Sequence, residues 1–329
     1  MDLGADSYDI VIERGALKRV GELFDLGRKV MIVTDSGVPA AYAETVRSAA
    51  RVGQVLTLEQ GEASKTVQSW QMILQAMLEA GFTRRDCVVA VGGGMVGDLA
   101  GFAAASYMRG VDFYNIPTTV LSQVDSSIGG KTAVNFGGVK NIVGAFHQPK
   151  KVLVDLDLLA TLDSRLVSEG LAEALKMGLT SDEELFGIFE YGNISDQLDE
   201  IILRSLMIKK AVVEQDEKEQ GLRKILNFGH TIGHGIESGG ELYHGECVAV
   251  GMIPMVSDAL RPRLIAALGR LNLPTSAALS PEKIYSAMLH DKKSEGDAVT
   301  VVTVPAPGRF EMKKISFAEL YPLIKMITR

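Results

Sequence analysis

Short apolar runs alternate with amphipathic stretches along the first half of the chain. Runs rich in branched apolar residues predict strands, and apolar positions at helical spacing predict helices. The predicted strands cover residues 8–12, 29–34, 54–58, 87–91, 112–116 and 151–154, and the predicted helices cover residues 16–24, 39–50 and 67–79. This alternation is typical of an α/β, doubly wound, Rossmann-like nucleotide-binding domain.

The pattern changes after about residue 158. Helical periodicity then dominates, over residues 164–177, 196–217, 227–237, 245–260, 263–271 and 317–326. Two hairpins are also expected, one joining 131–135 to 140–144 and one turning at 305–308. We therefore predict an α/β domain over residues 1–157 and a mainly helical domain over residues 158–329. The cleft between two such domains is the usual place for an active site.

Composition and charge exclude several classes of protein. The 329 residues include 34 Lys and Arg against 41 Asp and Glu, a net charge of -7, so the basic excess of a nucleic-acid-binding protein is absent. The most apolar stretch, 88–108, is interrupted by glycines and by Asp98, so no membrane span is expected. The N-terminus has no apolar core typical of a signal peptide. Cys87 and Cys247 form no disulfide framework, which favours a cytoplasmic protein.

Three of the five histidines fall within fifteen positions. His230 and His234 are four residues apart, so one helix face presents both rings. His244 follows a pair of glycines that lets the chain turn back toward that face. Neutral imidazoles are common zinc ligands, and catalytic zinc usually takes three protein ligands and leaves one position open. Thr231 stands where the HExxH motif of metalloproteases has its glutamate, so that motif is absent.

Glu173 is a candidate third ligand because it interrupts an otherwise small and apolar helical run. An acidic residue at such a position is either a buried ligand or an ordinary residue on a solvated face. The histidines likewise allow two interpretations, a metal site or two helix histidines and a loop histidine with ordinary partners. The residues alone leave both alternatives open.

A glycine run follows the apolar strand at 87–91 and precedes a helical stretch. Glycines at such a turn let backbone N–H groups approach a phosphate at the helix N-terminus. The run, Gly92 to Gly94 and then Gly97, is not a true GxGxxG, so a plain strand-to-helix turn remains an alternative. Asp35, at the end of an earlier strand, is either a contact for a ribose hydroxyl or the N-cap of the next helix.

Polar residues concentrate in the next compact stretch. They are Arg109, Thr118, Thr119, Gln123, Asp125, Lys131, Lys140 and Asn141. Lys131 and Lys140 each follow a pair of glycines, and cations on such flexible backbone suit recognition of phosphate or carboxylate. The alternative is a solvated hairpin with ordinary surface lysines.

Taken together, these segments resemble the 3-dehydroquinate synthase family of sugar-phosphate cyclases. The matching segments are GGGMVGDLAGFAAASYMRG (92–110), IPTTVLSQVDSSIGGKTAVN (116–135), GVKNIVGAFHQP (138–149), EGLAEALKMG (169–178), DEKEQGLRKILNFGHTIGHGIE (216–237) and HGECVAVGM (244–252). QGEASK (60–65) and DKKSEG (291–296) extend the resemblance toward both ends. Several of these segments are long and specific.

The resemblance implies a dehydroquinate synthase-like fold, bound NAD and a divalent metal, Zn²⁺ with Co²⁺ as an alternative. The substrate would be 3-deoxy-D-arabino-heptulosonate 7-phosphate. The reaction would proceed by transient oxidation by NAD, β-elimination of phosphate, re-reduction, ring opening and intramolecular aldol closure. It belongs to the shikimate pathway of aromatic amino acid biosynthesis. The partner would be this small anionic sugar phosphate, with no nucleic acid and no membrane.

The resemblance also assigns residues to roles. The implied metal ligands are Glu173, His230 and His244. The implied NAD contacts are Asp35, Glu62, Lys65, Gly94, Met95, Val96, Gly97, Asp98, Thr118, Thr119, Asp125, Lys131, Lys140, Leu158, Leu159, Ala160 and Thr161. The implied phosphate-binding residues are Lys131, Asn141, His234 and a lysine of the pair Lys292 and Lys293.

Three further residues would lie on the carboxylate side of the substrate. The motif DExExGLR fixes the register that makes Lys209 and Arg223 the matching carboxylate-side residues, with Asn227 nearby. Arg109 would reach the phosphate from a neighbouring subunit, so a complete site would require a homodimer.

Three rival functions remain at this stage. Other sugar-phosphate cyclases, such as 2-deoxy-scyllo-inosose synthase or a valiolone-forming cyclase, act on substrates without a carboxylate, for which Lys209 and Arg223 have no clear purpose. A metal-dependent alcohol dehydrogenase of the glycerol dehydrogenase type would release NADH and would need no phosphate-binding lysines. A non-catalytic binding protein that kept the fold is the third.

Overall fold

The strands predicted in the first half of the chain all form in the computed structural model, which describes residues 1–291 and 298–328. The chain separates into two compact units, Met1–Leu162 and Asp163–Arg329. The strands of the first unit are β1 (Asp9–Ile12), β2 (Lys29–Asp35), β3 (Val52–Leu58), β4 (Cys87–Gly92), β5 (Asp112–Pro117), β6 (Lys131–Phe136), β7 (Val139–Phe146) and β8 (Lys151–Val154). Its α-helices are α1 (Val20–Leu23), α2 (Ala40–Ala49), α3 (Val67–Glu79) and α4 (Gly94–Ser106).

Six strands form one sheet in the order β1-β8-β5-β4-β2-β3, and every neighbouring pair is parallel. Alternate residues of β4 face opposite sides. Val88 and Ala90 belong to a core with residues of α3 and α4, whereas Val89 and Val91 belong to a core with residues of α1 and α2. Both faces are therefore buried under helices, which explains why β4 is apolar throughout. The predicted doubly wound α/β architecture is confirmed.

The helix expected over 16–24 differs from the prediction. It consists of a 3₁₀ turn, Ala16–Arg19, followed by the single turn α1. The buried carboxylate of Asp155 accepts hydrogen bonds from the N–H groups of Gly15 and Leu17 at 2.9 and 3.0 Å. This anchoring binds the start of the segment to the end of β8, so a regular helix does not begin there.

The predicted hairpin forms from β6 and β7, which pair antiparallel. Phe136 belongs to β6 rather than to the turn. The turn is made by Gly137 and Gly138, whose φ angles of 61° and 80° are left-handed and favour glycine. The hairpin is a two-stranded sheet separate from the main one, and it carries Lys131, Lys140 and Asn141.

The second unit is mainly helical, as predicted. Its helices are α5 (Ser164–Ser181), α6 (Glu183–Tyr191), α7 (Leu198–Gln215), α8 (His230–Glu237), α9 (His244–Met252), α10 (Arg261–Arg270), α11 (Pro281–Asp291) and α12 (Phe317–Lys325). The antiparallel strands β9 (Ala298–Ala306) and β10 (Arg309–Ser316) form the predicted second hairpin. Most of α5 is buried, and it packs against α6, α7 and α9.

Several helix boundaries differ from the sequence-based ones. The helix expected over 245–260 ends at Met252 and continues only as a 3₁₀ turn, because Pro254 cannot donate the hydrogen bond that a helix needs. The helix expected over 227–237 begins at His230, directly after a left-handed Gly229. The helices α6 and α11 were not predicted. A signal for α6 was present, since Asp182 caps its first turn through Oδ1.

Among the described residues, no helix has the length and apolar character needed to span a membrane. The apolar stretch 88–108 is divided between β4, α4 and the short turn that follows α4.

Candidate active site

Glu173, His230 and His244 come together in the second unit, although each lies on a different helix. Glu173 is on α5 with 1% of its surface exposed, whereas His230 and His244 are the first residues of α8 and α9. The Nε2 atoms of His230 and His244 lie 3.5 and 3.4 Å from Oε1 of Glu173. One ligand atom of each residue lies within 4.8 Å of the other two.

This spacing fits a divalent metal ion. In a tetrahedral zinc site with bonds of about 2.0–2.1 Å, neighbouring ligand atoms are about 3.3–3.4 Å apart. Two imidazole nitrogens and one carboxylate oxygen are also a common donor set for catalytic zinc, which keeps its fourth position for water or substrate. The three side chains therefore have the spacing and the chemistry to hold such an ion.

Glycines let these helices approach one another closely. A Cβ atom at Gly245 would lie 1.9 Å from the carbonyl oxygen of Glu169, and one at Gly251 would lie 2.1 Å from the carbonyl oxygen of Gly229. Gly229 itself has a φ of 79°, which suits glycine and allows α8 to begin directly at His230. Glycine is thus needed next to both candidate ligand histidines, because a side chain there would collide with neighbouring backbone.

Side chains of α5 anchor the first turn of α9. Oε2 of Glu169 accepts a hydrogen bond from the N–H of Gly245 at 3.0 Å. Four residues earlier on α5, Arg165 donates two hydrogen bonds, of 2.6 and 2.7 Å, to the carboxylate of Glu246. Residues four apart share a helix face, so one face of α5 contacts the first three residues of α9 through these two side chains and Glu173.

The two candidate ligand histidines differ in protonation. Burial lowers the pKa of His230 to about 3, so its ring is neutral. Burial acts on His244 in the same direction, but hydrogen bonds to Glu173 and Glu237 prevail and raise its pKa to about 10. A metal ion would therefore have to displace a proton from His244, as is usual when metals bind ionisable ligands.

Lys176 is a candidate functional residue that the sequence analysis missed. Its ammonium group contacts Oε2 of Glu173 one helical turn away, and both side chains are only 1% exposed. Loss of one partner of a buried ion pair leaves a buried charge without compensation, so the two residues depend on each other. The available signal was a lysine three residues after a candidate ligand in the same small, apolar run.

In the first unit, many residues predicted to contact NAD follow the carboxyl ends of parallel strands. Asp35 ends β2, the segment from Gly94 to Asp98 forms the start of α4, and Thr118 and Thr119 follow β5. β4 lies between β2 and β5, and the chain reverses direction across the sheet between β2 and β4. Open α/β sheets bind ligands at such switch points, and the N–H groups at the start of α4 suit a phosphate.

Asp35 is not the N-cap of the following helix. The N-cap of α2 is Pro39, and Oδ1 of Asp35 instead accepts a hydrogen bond from the N–H of Gly37 at 2.9 Å. Burial raises the pKa of Asp35 despite the opposing backbone hydrogen bonds. The N-cap alternative was therefore wrong, and the ribose-contact alternative remains a prediction.

Lys65 links several of the predicted residues. Its side chain is 6% exposed, and Nζ lies 2.5 Å from Oδ2 of Asp98 and 2.5 Å from Oδ1 of Asn141. Asn135, which the sequence analysis did not single out, accepts a hydrogen bond from the N–H of Asn141 and donates one to Glu62, both at 2.9 Å. These contacts connect the β6–β7 hairpin to α4 and to the segment before α3.

The remaining predicted residues of the first unit lie on several different elements. Asp125 lies in a π-helical turn, and Lys131 and Lys140 are exposed on the hairpin. Leu158 and Leu159 have buried side chains, so a nucleotide could reach only their backbone, whereas Ala160 and Thr161 are exposed. Buried Gln123 donates hydrogen bonds to the carbonyl oxygens of Pro117 and Asp155, which is a structural role.

Arg109 is exposed and lies in a strained turn after α4. Met108 and Arg109 have φ angles of 48° and 68°, which are uncommon for residues other than glycine. Strained backbone of this kind often occurs at functional sites.

The second unit contains the other predicted substrate residues. Lys209 on α7 and Arg223 in the 3₁₀ turn Leu222–Asn227 are buried, with 5% and 2% exposed. Asn227 is exposed and donates a hydrogen bond to Glu219 at 2.7 Å. His234 lies one turn after His230, and their ring centres are 5.4 Å apart. Lys292 and Lys293 lie outside the described residues.

Solved structures share this combination of an α/β unit and a helical unit over nearly the whole chain. A structure of 2-epi-5-epi-valiolone synthase from Streptomyces hygroscopicus with NAD⁺ and Zn²⁺ bound has a TM-score of 0.89 at 27% identity, covering 99% of this chain and 98% of that one. A 2-deoxy-scyllo-inosose synthase complexed with carbaglucose-6-phosphate, NAD⁺ and Co²⁺ has a TM-score of 0.84 at 26% identity, covering 96% of each chain. Fold and site therefore define the class of sugar-phosphate cyclases.

Sequence comparison narrows the class. The family models for the N-terminal and C-terminal domains of 3-dehydroquinate synthase match residues 55–169 and 170–294. The 3-dehydroquinate synthase of Streptococcus mutans is 40% identical over 97% of both chains, and that of Pelobacter propionicus is 40% identical over 92% of this chain and 91% of that one. The chain belongs to the 3-dehydroquinate synthase family.

Replacing Glu173 tests the proposed ligand group. Glu173→Gln keeps the shape of the side chain but removes its charge, so we expect zinc affinity to fall by at least about 100-fold. The measurement is equilibrium dialysis with elemental analysis. Glu241→Gln, an exposed residue three positions before His244, is the control and should bind like the wild type. Undiminished zinc affinity in Glu173→Gln would contradict the ligand assignment.

Proposed function

We propose that the protein converts 3-deoxy-D-arabino-heptulosonate 7-phosphate to 3-dehydroquinate and phosphate, with NAD and a divalent metal, Zn²⁺ or alternatively Co²⁺. The observation that carries the proposal is the convergence of Glu173, His230 and His244 on one point with ligand spacing. The relatives that are 40% identical and are named 3-dehydroquinate synthase support this substrate, and the two solved cyclases with NAD⁺ and metal support the cofactors.

In this proposal the metal ligands are Glu173, His230 and His244. When bound, the metal ion supplies a Lewis acid for the substrate hydroxyls and NAD supplies a reversible hydride acceptor. Lys176 balances the charge of the Glu173 carboxylate in the absence of metal and keeps this side chain ordered within the buried helix. The ligand atoms are therefore close to their final positions before the ion arrives.

The phosphate end of the substrate is assigned to cations and amides. Lys131, Asn141 and His234 would bind the phosphate, together with Lys292 or Lys293. Lys65 supports this arrangement because its ammonium group holds the side chain of Asn141. The phosphate itself can accept the proton removed during elimination, so the main task of these residues is to neutralise charge as phosphate leaves.

The carboxylate end is assigned to Lys209, Arg223 and Asn227. Lys209 and Arg223 are buried cations, and burying a charge is costly unless an anion or polar groups compensate it. The backbone supplies part of this compensation for Arg223, whose Nη1 donates to the carbonyl oxygen of Glu217. A substrate carboxylate would add a full opposite charge. In this proposal the two cations bind the carboxylate that the heptulosonate carries and the substrates of the other cyclases lack.

The nucleotide is assigned to the first unit. The start of α4 would bind the pyrophosphate through backbone N–H groups, and Asp35 would bind a ribose hydroxyl. The remaining proposed NAD contacts are Glu62, Lys65, Thr118, Thr119, Asp125, Lys131, Lys140, Leu158, Leu159, Ala160 and Thr161.

We also propose a domain boundary at 157/158 and a cytoplasmic location. Both cysteines are free and buried, in keeping with a reducing compartment.

A homodimer in which Arg109 completes the neighbouring subunit's site is also proposed. The strained, exposed turn at Met108 and Arg109 supports it. The hairpin adds exposed apolar side chains, since Phe136, Ile142 and Phe146 are 60%, 60% and 46% exposed. Exposed apolar groups that lie together are typical of protein interfaces.

The activity assay follows phosphate and NADH together. Zinc-loaded protein with NAD and 3-deoxy-D-arabino-heptulosonate 7-phosphate should release 3-dehydroquinate and phosphate in equal amounts without accumulating NADH.

Lys209→Met should raise KM for this substrate at least about 10-fold, because it removes a charge-assisted contact to the carboxylate. Lys210→Met is the matched control, because Lys210 pairs with Glu214 on the same helix and should leave KM unchanged.

Two outcomes of this assay contradict the proposal. Lasting NADH without phosphate release would identify an alcohol dehydrogenase. No turnover on the heptulosonate, combined with turnover on a sugar phosphate without a carboxylate, would identify a different cyclase and refute the role of Lys209 and Arg223.

Mixed dimers test whether Arg109 acts across subunits. Arg109→Ala and Glu173→Gln should each be inactive alone. After subunit exchange, half of the dimers are mixed, and one site in each has both residues, so activity should return to about a quarter of the wild-type value. Activity that stays at the level of the single variants would show that Arg109 acts within its own subunit or has no role.

A further inference from the structure

We propose that Glu237 is a positioning residue that sets the orientation of the His244 ring by accepting a hydrogen bond from its Nδ1. With that proton held on Nδ1, the Nε2 atom that faces Glu173 is the one that binds a metal ion once the ion has displaced its proton. It rests on the proposed function in one respect, because it takes the group of Glu173, His230 and His244 as the metal site.

The two histidines differ in how their rings are held. The ring of His230 is fixed by its own segment, because Nδ1 lies 3.1 Å from the carbonyl oxygen of Phe228. Its side chain is 13% exposed. His244 follows the segment 238–243, which includes Gly239 and Gly240, and its side chain is 33% exposed. A more exposed ring after a glycine-containing segment needs a side-chain partner to hold one rotamer.

Glu237 is placed to be that partner. Its Oε2 lies 3.5 Å from Nδ1 of His244, at the long end of the hydrogen-bond range, and its side chain is 14% exposed. Nε2 of the same ring lies 3.4 Å from Oε1 of Glu173. The imidazole thus lies between two carboxylates, one on each nitrogen.

Hydrogen bonds already hold the backbone on both sides of His244, so only the orientation of its ring remains to be fixed. Glu169 binds the N–H of Gly245, and Glu246, held by Arg165, accepts a hydrogen bond from the N–H of Tyr243 at 2.8 Å. These contacts lie on either side of His244 along the chain. They restrict its φ and ψ angles but leave rotation about the side-chain bonds, which the contact with Glu237 restricts.

Glu237 also connects the two ligand-bearing helices. It is the last residue of α8, seven residues after His230, and therefore lies on the same side of that helix two turns away. A carboxylate on the outer nitrogen of a metal-binding histidine fixes the tautomer and raises the basicity of the inner nitrogen. One short helix would thus supply one ligand directly and orient a second.

A competing interpretation makes Glu237 a metal ligand itself. His234, Glu237 and His244 also offer ligand atoms within 4.8 Å of one another. His234 is exposed, however, whereas Glu173 is buried at 1%. A buried carboxylate gains more from a cation than an exposed imidazole does, which favours the group around Glu173.

The experiment measures Co²⁺ and Zn²⁺ binding to the metal-free full-length protein, without NAD or substrate, by competition with a chelator. The variants are Glu237→Ala, which removes the acceptor, and Glu237→Gln, whose amide oxygen still accepts from Nδ1. We expect Glu237→Ala to bind one ion about 10–100-fold more weakly and Glu237→Gln to recover most of that loss. Glu241→Ala, an exposed carboxylate of the preceding segment, should match the wild type.

The visible spectrum of bound Co²⁺ separates orientation from general destabilisation. At saturating Co²⁺, Glu237→Ala should show altered band positions, because the ring no longer holds one orientation, whereas Glu237→Gln should resemble the wild type. A purely structural role would lower the unfolding temperature of both variants and leave the spectrum unchanged. If Glu237→Ala fails to fold, the affinity and spectrum of Glu237→Asp, whose shorter carboxylate withdraws from Nδ1, provide the same comparison.

Three outcomes would overturn the proposal. Wild-type affinity and spectrum in Glu237→Ala would show that the contact is unimportant. A Glu237→Gln variant as weak as Glu237→Ala would show that hydrogen-bond orientation is not the cause. Loss of the ion in Glu237→Ala combined with its retention in Glu173→Gln would place the metal in the competing group. Failure of the wild type to bind metal would instead refute the proposed function.

Discussion

The second unit depends on compensation of one buried charge, the carboxylate of Glu173. It is buried on α5, and leaving such a charge without compensation would cost several kcal/mol. Lys176 compensates it from the same helix, and two histidines approach it from the starts of α8 and α9. The close backbone contacts at Gly229 and Gly245 follow, since they bring both helix starts to that carboxylate. The packing of these helices and the candidate metal site thus both depend on the buried carboxylate of Glu173.

The first unit works by a different principle. Its parallel sheet is buried on both faces, so the positions left for function are those that follow the strands. There the chain offers mainly backbone N–H groups and small polar side chains, which suit a nucleotide. The charged contacts come from the hairpin and its link to Lys65, whose ammonium group joins Asp98 and Asn141.

Much of this was predictable from sequence, and the exceptions have physical reasons. Runs of apolar residues located the six strands, most clearly the inner strands β2, β4 and β5, which bury both faces. The histidine spacing identified candidate ligands because ligands must be particular residue types. Lys176, Asn135 and Glu237 were missed because they act on other side chains, and such contacts depend on tertiary packing. The helix expected over 245–260 was too long because its apolar pattern continues past Pro254. The roles of Lys292 and Lys293 remain predictions.

The most direct test of the account is the position of the metal ion in crystals of the zinc-loaded protein, measured by anomalous scattering at the zinc edge. We expect one strong peak within about 2.0–2.2 Å of Oε1 or Oε2 of Glu173 and of Nε2 of both His230 and His244. A peak on Nδ1 of His244 beside Glu237 and His234, or no peak in this unit, would contradict it.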